Sequence, residues 1–344
     1  MTEKEFEAFR LQPNFGSKKL NEEKLEVVET HISYLFLLRD EVFKVKKSVK
    51  LPFLDFTDLA KRKHACSQEL LLNKRLAPMI YLDVQSVKSD GSRISIGGNQ
   101  GVTIDFAVRM QRINNDLEMD RMLLKKRLQQ KDIIKLAEII AMFHLRTFSV
   151  AKEWKLAHLQ DTFNQISDFQ EYAAGKLGEA YGQIIKKSCS QSDDFLRKNI
   201  AALNRRSQQG YVRDVHGDLH SHNIFLTDPP VIFDCIEFDD DLRQIDLLNE
   251  IAFFLMDLDF YEASELGGQF LSHYLSILDK AGLQDVADEA LLLYFKMYRA
   301  SVKAKVLMIG ARHQQGKDQK KQMADVRKYL DLVGNYLQQL TKKK

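Results

Sequence analysis

The chain of 344 residues has only three cysteines, five prolines and one tryptophan. Cys66, Cys189 and Cys235 are scattered and odd in number, which supports neither a disulfide framework nor a cysteine-rich zinc centre. No charge of one sign dominates. Fifty-one basic against 48 acidic side chains leave +3, too balanced to mark a nucleic-acid or membrane-surface protein. Long apolar runs are also missing: the longest, Ile-Ala-Phe-Phe-Leu-Met at 251–256, falls far short of a bilayer span. The opening Met-Thr-Glu-Lys-Glu-Phe-Glu carries acids where a signal peptide needs a basic start and an apolar stretch. With 44% hydrophobic and 29% charged residues the composition is that of a globular protein, too apolar for disorder. These observations predict a cytoplasmic protein of mixed helix and strand, whose length suggests two domains.

The first third reads as strands. Residues 25–47 alternate apolar and polar with β-branched residues, broken at 29–33 and 39–41, which predicts a three-stranded meander. A helix is predicted over about 58–76, with Asp55, Thr57 and Asp58 as candidate caps and Pro78 beyond its end. Strand character returns at 79–87, 93–96 and 102–108, and Gly97-Gly-Asn-Gln-Gly101 reads as a hairpin turn between the last two. That glycine-rich stretch lacks the Gly-Lys-Ser/Thr ending of a phosphate loop. Beyond Met110 amphipathic helices are predicted at 119–128, 133–148, 162–181 and 193–208, then a short β segment over 211–233, then helices from Ile245 onward. The lysines at 342–344 read as a solvated tail. The expected division is a nucleotide-binding lobe over 1–108, its first 20 or so residues an extension, and a helical lobe over 109–344.

The most informative stretch is Val215-His-Gly-Asp-Leu-His-Ser-His-Asn-Ile-Phe-Leu226, followed by Val231-Ile-Phe-Asp234. Phosphoryl transfer needs a carboxylate to receive the acceptor's proton and oxygen ligands that hold Mg²⁺ against nucleotide phosphates. A loop between short strands can present Asp218 and Asn223, and a carboxylate past the next strand, Asp234, can face them.

These residues resemble a known family. His216-Gly217-Asp218-Leu219, three more residues and Asn223 are similar to the catalytic loop of the aminoglycoside phosphotransferase and choline kinase group. Phe233-Asp234-Cys-Ile-Glu-Phe238 is similar to the metal-binding segment of that group. Stretches at 29–33, 43–47, 54–56, 69–78, 107–110, 245–247 and 256–259 resemble an uncharacterised bacterial branch of it, so the likeness runs over roughly 25–310. It implies an α+β, protein-kinase-like fold of two lobes. ATP or GTP would bind in the cleft with Mg²⁺, its base against the connection at 107–112 that includes Met110.

The resemblance also assigns roles. Asp218 would be the catalytic carboxylate, and Asn223 and Asp234 the metal ligands. Lys44 would contact the α- and β-phosphates, with Glu69 as its ion-pair partner. Spacing agrees, since Lys44 and Lys46 project to one strand face and the helix with Glu69 follows. Lys44 is preferred for its mid-strand place, with Lys46 the alternative. Glycine is absent between Gly16 and Gly91, so the stretch ending in Ser33, or its backbone amides, would cap the phosphates in place of a glycine-rich loop. His216 and Asp246 would support the catalytic loop, Asp246 by accepting hydrogen bonds from its backbone. His144 reads as a packed core histidine. Arg299 and Lys303 share a helix face and are candidates for binding an anionic acceptor, a small hydroxylated molecule, against the alternative of a solvent-facing basic stripe.

Two competing readings come from other classes. Asp218-Leu-His-Ser-His222 resembles the opening of metal-dependent phosphoesterases, where alternating histidines share a metal. That reading leaves Asn223 and Asp234 without a role, and the remaining histidines form no second cluster. A non-catalytic nucleotide-binding regulator on the same fold would be marked by a lost catalytic residue, and none is lost.

Overall fold

Strands form where β-branched and aromatic residues alternate with polar ones, and their facing decides which charges are enclosed. A computed structural model of the protein describes residues 1–16, 25–51 and 54–342. Residues 17–24, within the stretch read as an extension, and the tail lysines Lys343 and Lys344 lie outside the described residues. The predicted meander is β1 (Glu26–Glu29), β2 (Ser33–Leu37) and β3 (Glu41–Lys46), each antiparallel to the next. Along β3, Phe43 and Val45 enter a core with Tyr34 and Phe36, which commits Lys44 and Lys46 to the opposite face. Helix α1 (Glu3–Leu11), capped by Thr2, presses Phe6 and Phe9 onto that core, the Phe6 ring stacked 3.9 Å from that of Tyr34.

After the short pair β4 (Lys50–Leu51) and β5 (Leu54–Asp55) comes α2 (Leu59–Asn73), opened by the Asp58 carboxylate on the Ala60 amide. Its buried face carries Arg62, Cys66, Glu69 and Asn73 at helical spacing. Strands β6 (Tyr81–Ser89), β7 (Ile94–Ile96) and β8 (Val102–Gln111) complete a six-stranded antiparallel sheet in the order β1-β2-β3-β8-β6-β7. This order corrects one expectation. Gly97–Gly101 is not a hairpin turn, because β7 and β8 flank β6 on opposite sides. The hairpin lies at Asp90–Arg93, and the glycine stretch is a crossover that needs the positive φ of Gly97 and Gly101, 73° and 92°.

The described chain divides into two compact units, 1–118 with 223–242, and 119–222 with 243–344. The second segment of the first unit supplies β10 (Ile224–Phe225) and β11 (Val231–Ile232); Phe225 and Phe233, which follows β11, pack with Tyr81, Val108 and Met110. A short turn of helix, α8 (Asp240–Arg243), follows.

The second unit is helical: α3 (Met119–Leu124), α4 (Gln130–Arg146), α5 (Leu156–Asn164), α6 (Gln170–Leu177), α7 (Glu179–Gln208), α9 (Leu247–Phe260), α10 (Ser264–Lys280), α11 (Glu289–Arg312) and α12 (Gly316–Lys342). Its only sheet among the described residues pairs β9 (Val212–Asp214) with β12 (Gln244–Asp246). Ile245, predicted to start a helix, is therefore in a strand, and Asp246 caps α9 through the Leu248 amide at 2.8 Å. The apolar run at 251–256 is the centre of α9, buried at every position from Leu247 to Leu258 except Asn249 and packed against α10, α11 and α12. No described helix is long and apolar enough to cross a membrane.

Candidate active site

In the first unit the two lysines on the charged face of β3 meet one glutamate. Lys44 Nζ lies 2.8 Å from Glu69 Oε1 and 2.7 Å from Asp234 Oδ1. Lys46 Nζ lies 2.5 Å from Glu69 Oε2 and also contacts Glu237 Oε1. The charges alternate in a row, Asp234–Lys44–Glu69–Lys46–Glu237, that is enclosed from Glu69 to Glu237 and opens at Asp234. Burial pushes the Glu69 carboxyl up, but the ammonium groups of Lys44 and Lys46 outweigh it and hold it at about 2. Burial opposes the charge on Lys44 too, yet Asp234 and Glu69 keep it well above its ordinary value. The lysines differ in access: Lys46 is fully enclosed, whereas the Lys44 side chain is 12% exposed and the Asp234 carboxylate 43%. Of the two, Lys44 is therefore the one a phosphate could reach.

Asn223 and Asp234 are placed by one small β pair, in which the Phe233 amide donates to the Asn223 carbonyl at 3.0 Å. Asp234 holds a left-handed backbone, φ 62°. An amide oxygen and a half-exposed carboxylate are hard donors of the kind Mg²⁺ selects. The donor set fits that ion. Ser33 is fully buried, and its Oγ has no hydrogen-bond partner among the described residues. Its N–H and C=O close a tight turn with Thr30. Met110, next to last in β8, lies opposite Val42 and Tyr81, with 7% exposure.

In the second unit the loop that bears Asp218 is fastened by its backbone. The His216 and Gly217 amides donate to Glu250, at 2.8 and 3.1 Å, and the Ser221 amide donates to Asp257 at 2.8 Å. Asp246 does not perform the bracing expected of it. Its carboxylate caps α9 and takes Arg206 at both oxygens, 2.7 and 2.9 Å. Glu250, one helical turn later on the same face, reaches the loop instead. Arg299 is no solvent-facing residue: at 8% exposure it donates to Asn249 Oδ1 (2.7 Å) and to the Gly217 carbonyl (3.3 Å), with its guanidinium 4.8 Å over the Phe253 ring. Lys303 Nζ lies 5.1 Å from the centre of the same ring.

Asp218 itself is 37% exposed, with Oδ2 at 3.2 Å from His220 Nε2. Burial works against its charge, but His220 and Lys303 hold the carboxyl well below the usual range, so it stays ionised. The histidines do not share a focus. His216 Nδ1 faces the Asp218 amide, His220 faces the Asp218 carboxylate, and His222 lies 3.5 Å from Asp120. Among the described residues no three His, Cys, Asp or Glu side chains are grouped to hold a metal ion, so the alternating histidines lack the convergence a phosphoesterase centre requires. His144 is a core residue, fully buried and 2.8 Å from the Tyr274 hydroxyl, with burial lowering its pKa to about 3.

Sequence reasoning missed Glu237, Glu250, Asn73 and Tyr81. Three of them carried a signal: Asn73 stands four residues after Glu69 on α2, Glu250 four after Asp246, the cap of α9, and Glu237 lies in the Asp-Cys-Ile-Glu run. Nothing in the pattern marked Tyr81.

No protein-family model matches the chain. Uncharacterized proteins of Mycobacterium tuberculosis (strain H37Rv) and Mycobacterium bovis are each 30% identical over 330 residues, covering 92% of this chain. The chain spans about 60% of the length of these relatives. Among solved structures, a glucosamine kinase in complex with glucosamine, ADP and inorganic phosphate has a TM-score of 0.56 at 15% identity, over 93% of this chain and 82% of that one. A choline kinase from Cryptosporidium parvum has a TM-score of 0.54 at 13% identity, over 99% and 96%. The fold is therefore that of the protein-kinase-like class, α+β, with an antiparallel sheet lobe and a helical lobe.

Proposed function

We propose that the protein is a phosphotransferase that moves the γ-phosphate of ATP, or of GTP, to a hydroxyl of a small molecule. The observation that carries this reading is the sharing of Lys44 between Glu69 and Asp234, at 2.8 and 2.7 Å. A lysine pinned between two carboxylates is a poor stability device, since a buried ion pair barely offsets its desolvation. It is a good phosphate contact, because its direction is fixed before the nucleotide arrives. In this reading Lys44 holds the α- and β-phosphates, and Asn223 and Asp234 hold Mg²⁺, which when bound neutralises phosphate charge. Asp218, kept ionised beside His220, orients the acceptor hydroxyl and takes its proton as the new P–O bond forms and the bond to the leaving diphosphate breaks. Met110, near the end of β8, would meet the base. Lys303 would meet the acceptor; Arg299, tied to the loop carbonyl, would reach it only by holding that loop.

Glucosamine and choline, named for the two structural neighbours, each join a hydroxyl to a nitrogen cation, so amino sugars and choline-like alcohols enter the acceptor panel, beside acceptors with an anionic group, which the Lys303 ammonium would suit. Aminoglycosides and sugar acids follow. The test is thermal unfolding with Mg²⁺-ATP and Mg²⁺-GTP, then with each acceptor. A ligand at 100 times its Kd stabilises the native state by about 2.7 kcal/mol, a shift of a few degrees. A melting temperature unmoved by either nucleotide would sink the proposal.

A further inference from the structure

The left-handed backbone of Asp234, φ 62°, is unfavourable for an L-residue, though aspartate tolerates it better than most. Such a conformation persists where the surroundings over-determine it. Two residues outside the ion row do this. The hydroxyl of Tyr81 accepts the Asp234 N–H at 3.2 Å, and Asn73 Oδ1 accepts the next N–H, that of Cys235, at 2.8 Å. Both side chains belong to residues only 1% exposed, so water cannot take their place. Asn73 is itself held, its Nδ2 donating to the Glu69 carbonyl at 2.9 Å. Helix α2 thus grips the 234–235 segment twice. One grip runs through side-chain charge, Glu69 to Lys44 to Asp234. The other runs through the backbone, Asn73 to Cys235.

We infer that Tyr81 and Asn73 are positioning residues for Asp234: their two hydrogen bonds set the left-handed turn, and the turn sets where the carboxylate points. Without them the carboxylate would still be drawn to Lys44 but could swing about that contact. A lysine is a point charge on a flexible stem and fixes no direction. A divalent ion, by contrast, needs its oxygen ligands held in place by a second layer of contacts.

The inference rests on the phosphotransferase reading, in which Asp234 is a magnesium ligand. It is tested on the full chain by calorimetric titration of Mg²⁺ at fixed ADP, with a parallel ADP titration in a chelator. Tyr81→Phe keeps the ring packing and removes the acceptor, and Asn73→Ala removes the other. Each is expected to raise the Mg²⁺ concentration for half-maximal binding roughly 10–100-fold, as loss of an outer-layer contact does, while leaving metal-free ADP affinity unchanged. A merely structural role would lower the melting temperature and leave the Mg²⁺ dependence where it was, and that result overturns the inference alone. If the unmodified protein shows no Mg²⁺-dependent ADP binding, the inference and the phosphotransferase reading fall together. Should Asn73→Ala fail to fold, Tyr81→Phe carries the test.

Discussion

Glu69 and Glu250 are the same residue type, each fully buried on a helix, one in each unit. Their carboxyls are driven in opposite directions. Two lysines hold Glu69 down at about 2, whereas Glu250 is pushed up to about 7, because burial outweighs the help of Arg299 and the His216 and Gly217 amides. A full opposite charge on each oxygen repays desolvation; amide dipoles and one guanidinium do so only in part. The difference fits two tasks. The first unit fixes charge, a row of five ionic side chains. The second fixes geometry, a loop held by its backbone so that one exposed carboxylate keeps its place.

The sharpest way to break this comparison is to remove one aspartate from each side. On the phosphotransferase reading, Asp218→Ala takes away the proton acceptor and should lower kcat by roughly 10²–10⁴-fold, the usual worth of a general base, with nucleotide affinity nearly intact. Asp234→Ala should instead abolish Mg²⁺-dependent nucleotide binding. Full activity in Asp218→Ala would refute the division of labour. Next in size is Glu69→Gln, which leaves Lys44 and Lys46 facing each other with one carboxylate fewer. Breaking a buried pair this way destabilises by about 3–5 kcal/mol, read by urea unfolding at pH 7. A loss below about 1 kcal/mol, the value of an exposed pair, would mean the row is wetter than its burial indicates.

How far the sequence revealed this depends on whether an interaction leaves a spacing. The fold class was legible: the meander, the helix opened at Asp58 and the switch to helical periodicity all follow local rules. Lys44, Glu69 and Asp234 were legible as candidates because each sits in a recognisable segment, and the structure brings these three together. The bracing carboxylate was assigned to Asp246 and belongs to Glu250. Asp246 caps α9 and Glu250 lies one turn into it, and spacing cannot say which of the two acids Arg206 claims. The glycine stretch was read as a hairpin because strand order is not local: β8 pairs with β3 and β6, and pattern alone does not reveal that β7 lies beyond them. Tyr81 left no trace, since a core tyrosine looks the same whether its hydroxyl holds an amide or nothing.

The smallest expected effect is also the most diagnostic, because its sign differs between the two glutamates. With a folded pKa near 7 against an ordinary value of 4.5, Glu250 binds a proton in the native state where the unfolded chain has already released it. Its contribution is therefore full below pH 4.5 and is lost as pH rises through 7, on the order of 3 kcal/mol in all. Glu69 runs the other way. Its folded value of about 2 lies below 4.5, so its contribution is full above pH 4.5 and is lost as pH falls toward 2. Glu250→Gln should remove the first slope: relative to the unmodified protein, the variant gains stability between pH 5 and pH 8. Glu69→Gln should leave that window flat and lose its disadvantage only in acid. Denaturant unfolding at pH 3, 5 and 8 separates the two. A Glu250→Gln difference that does not change between pH 5 and pH 8 would show that the amides and Arg299 satisfy this carboxylate as fully as lysines do the other, and the contrast between the units would disappear.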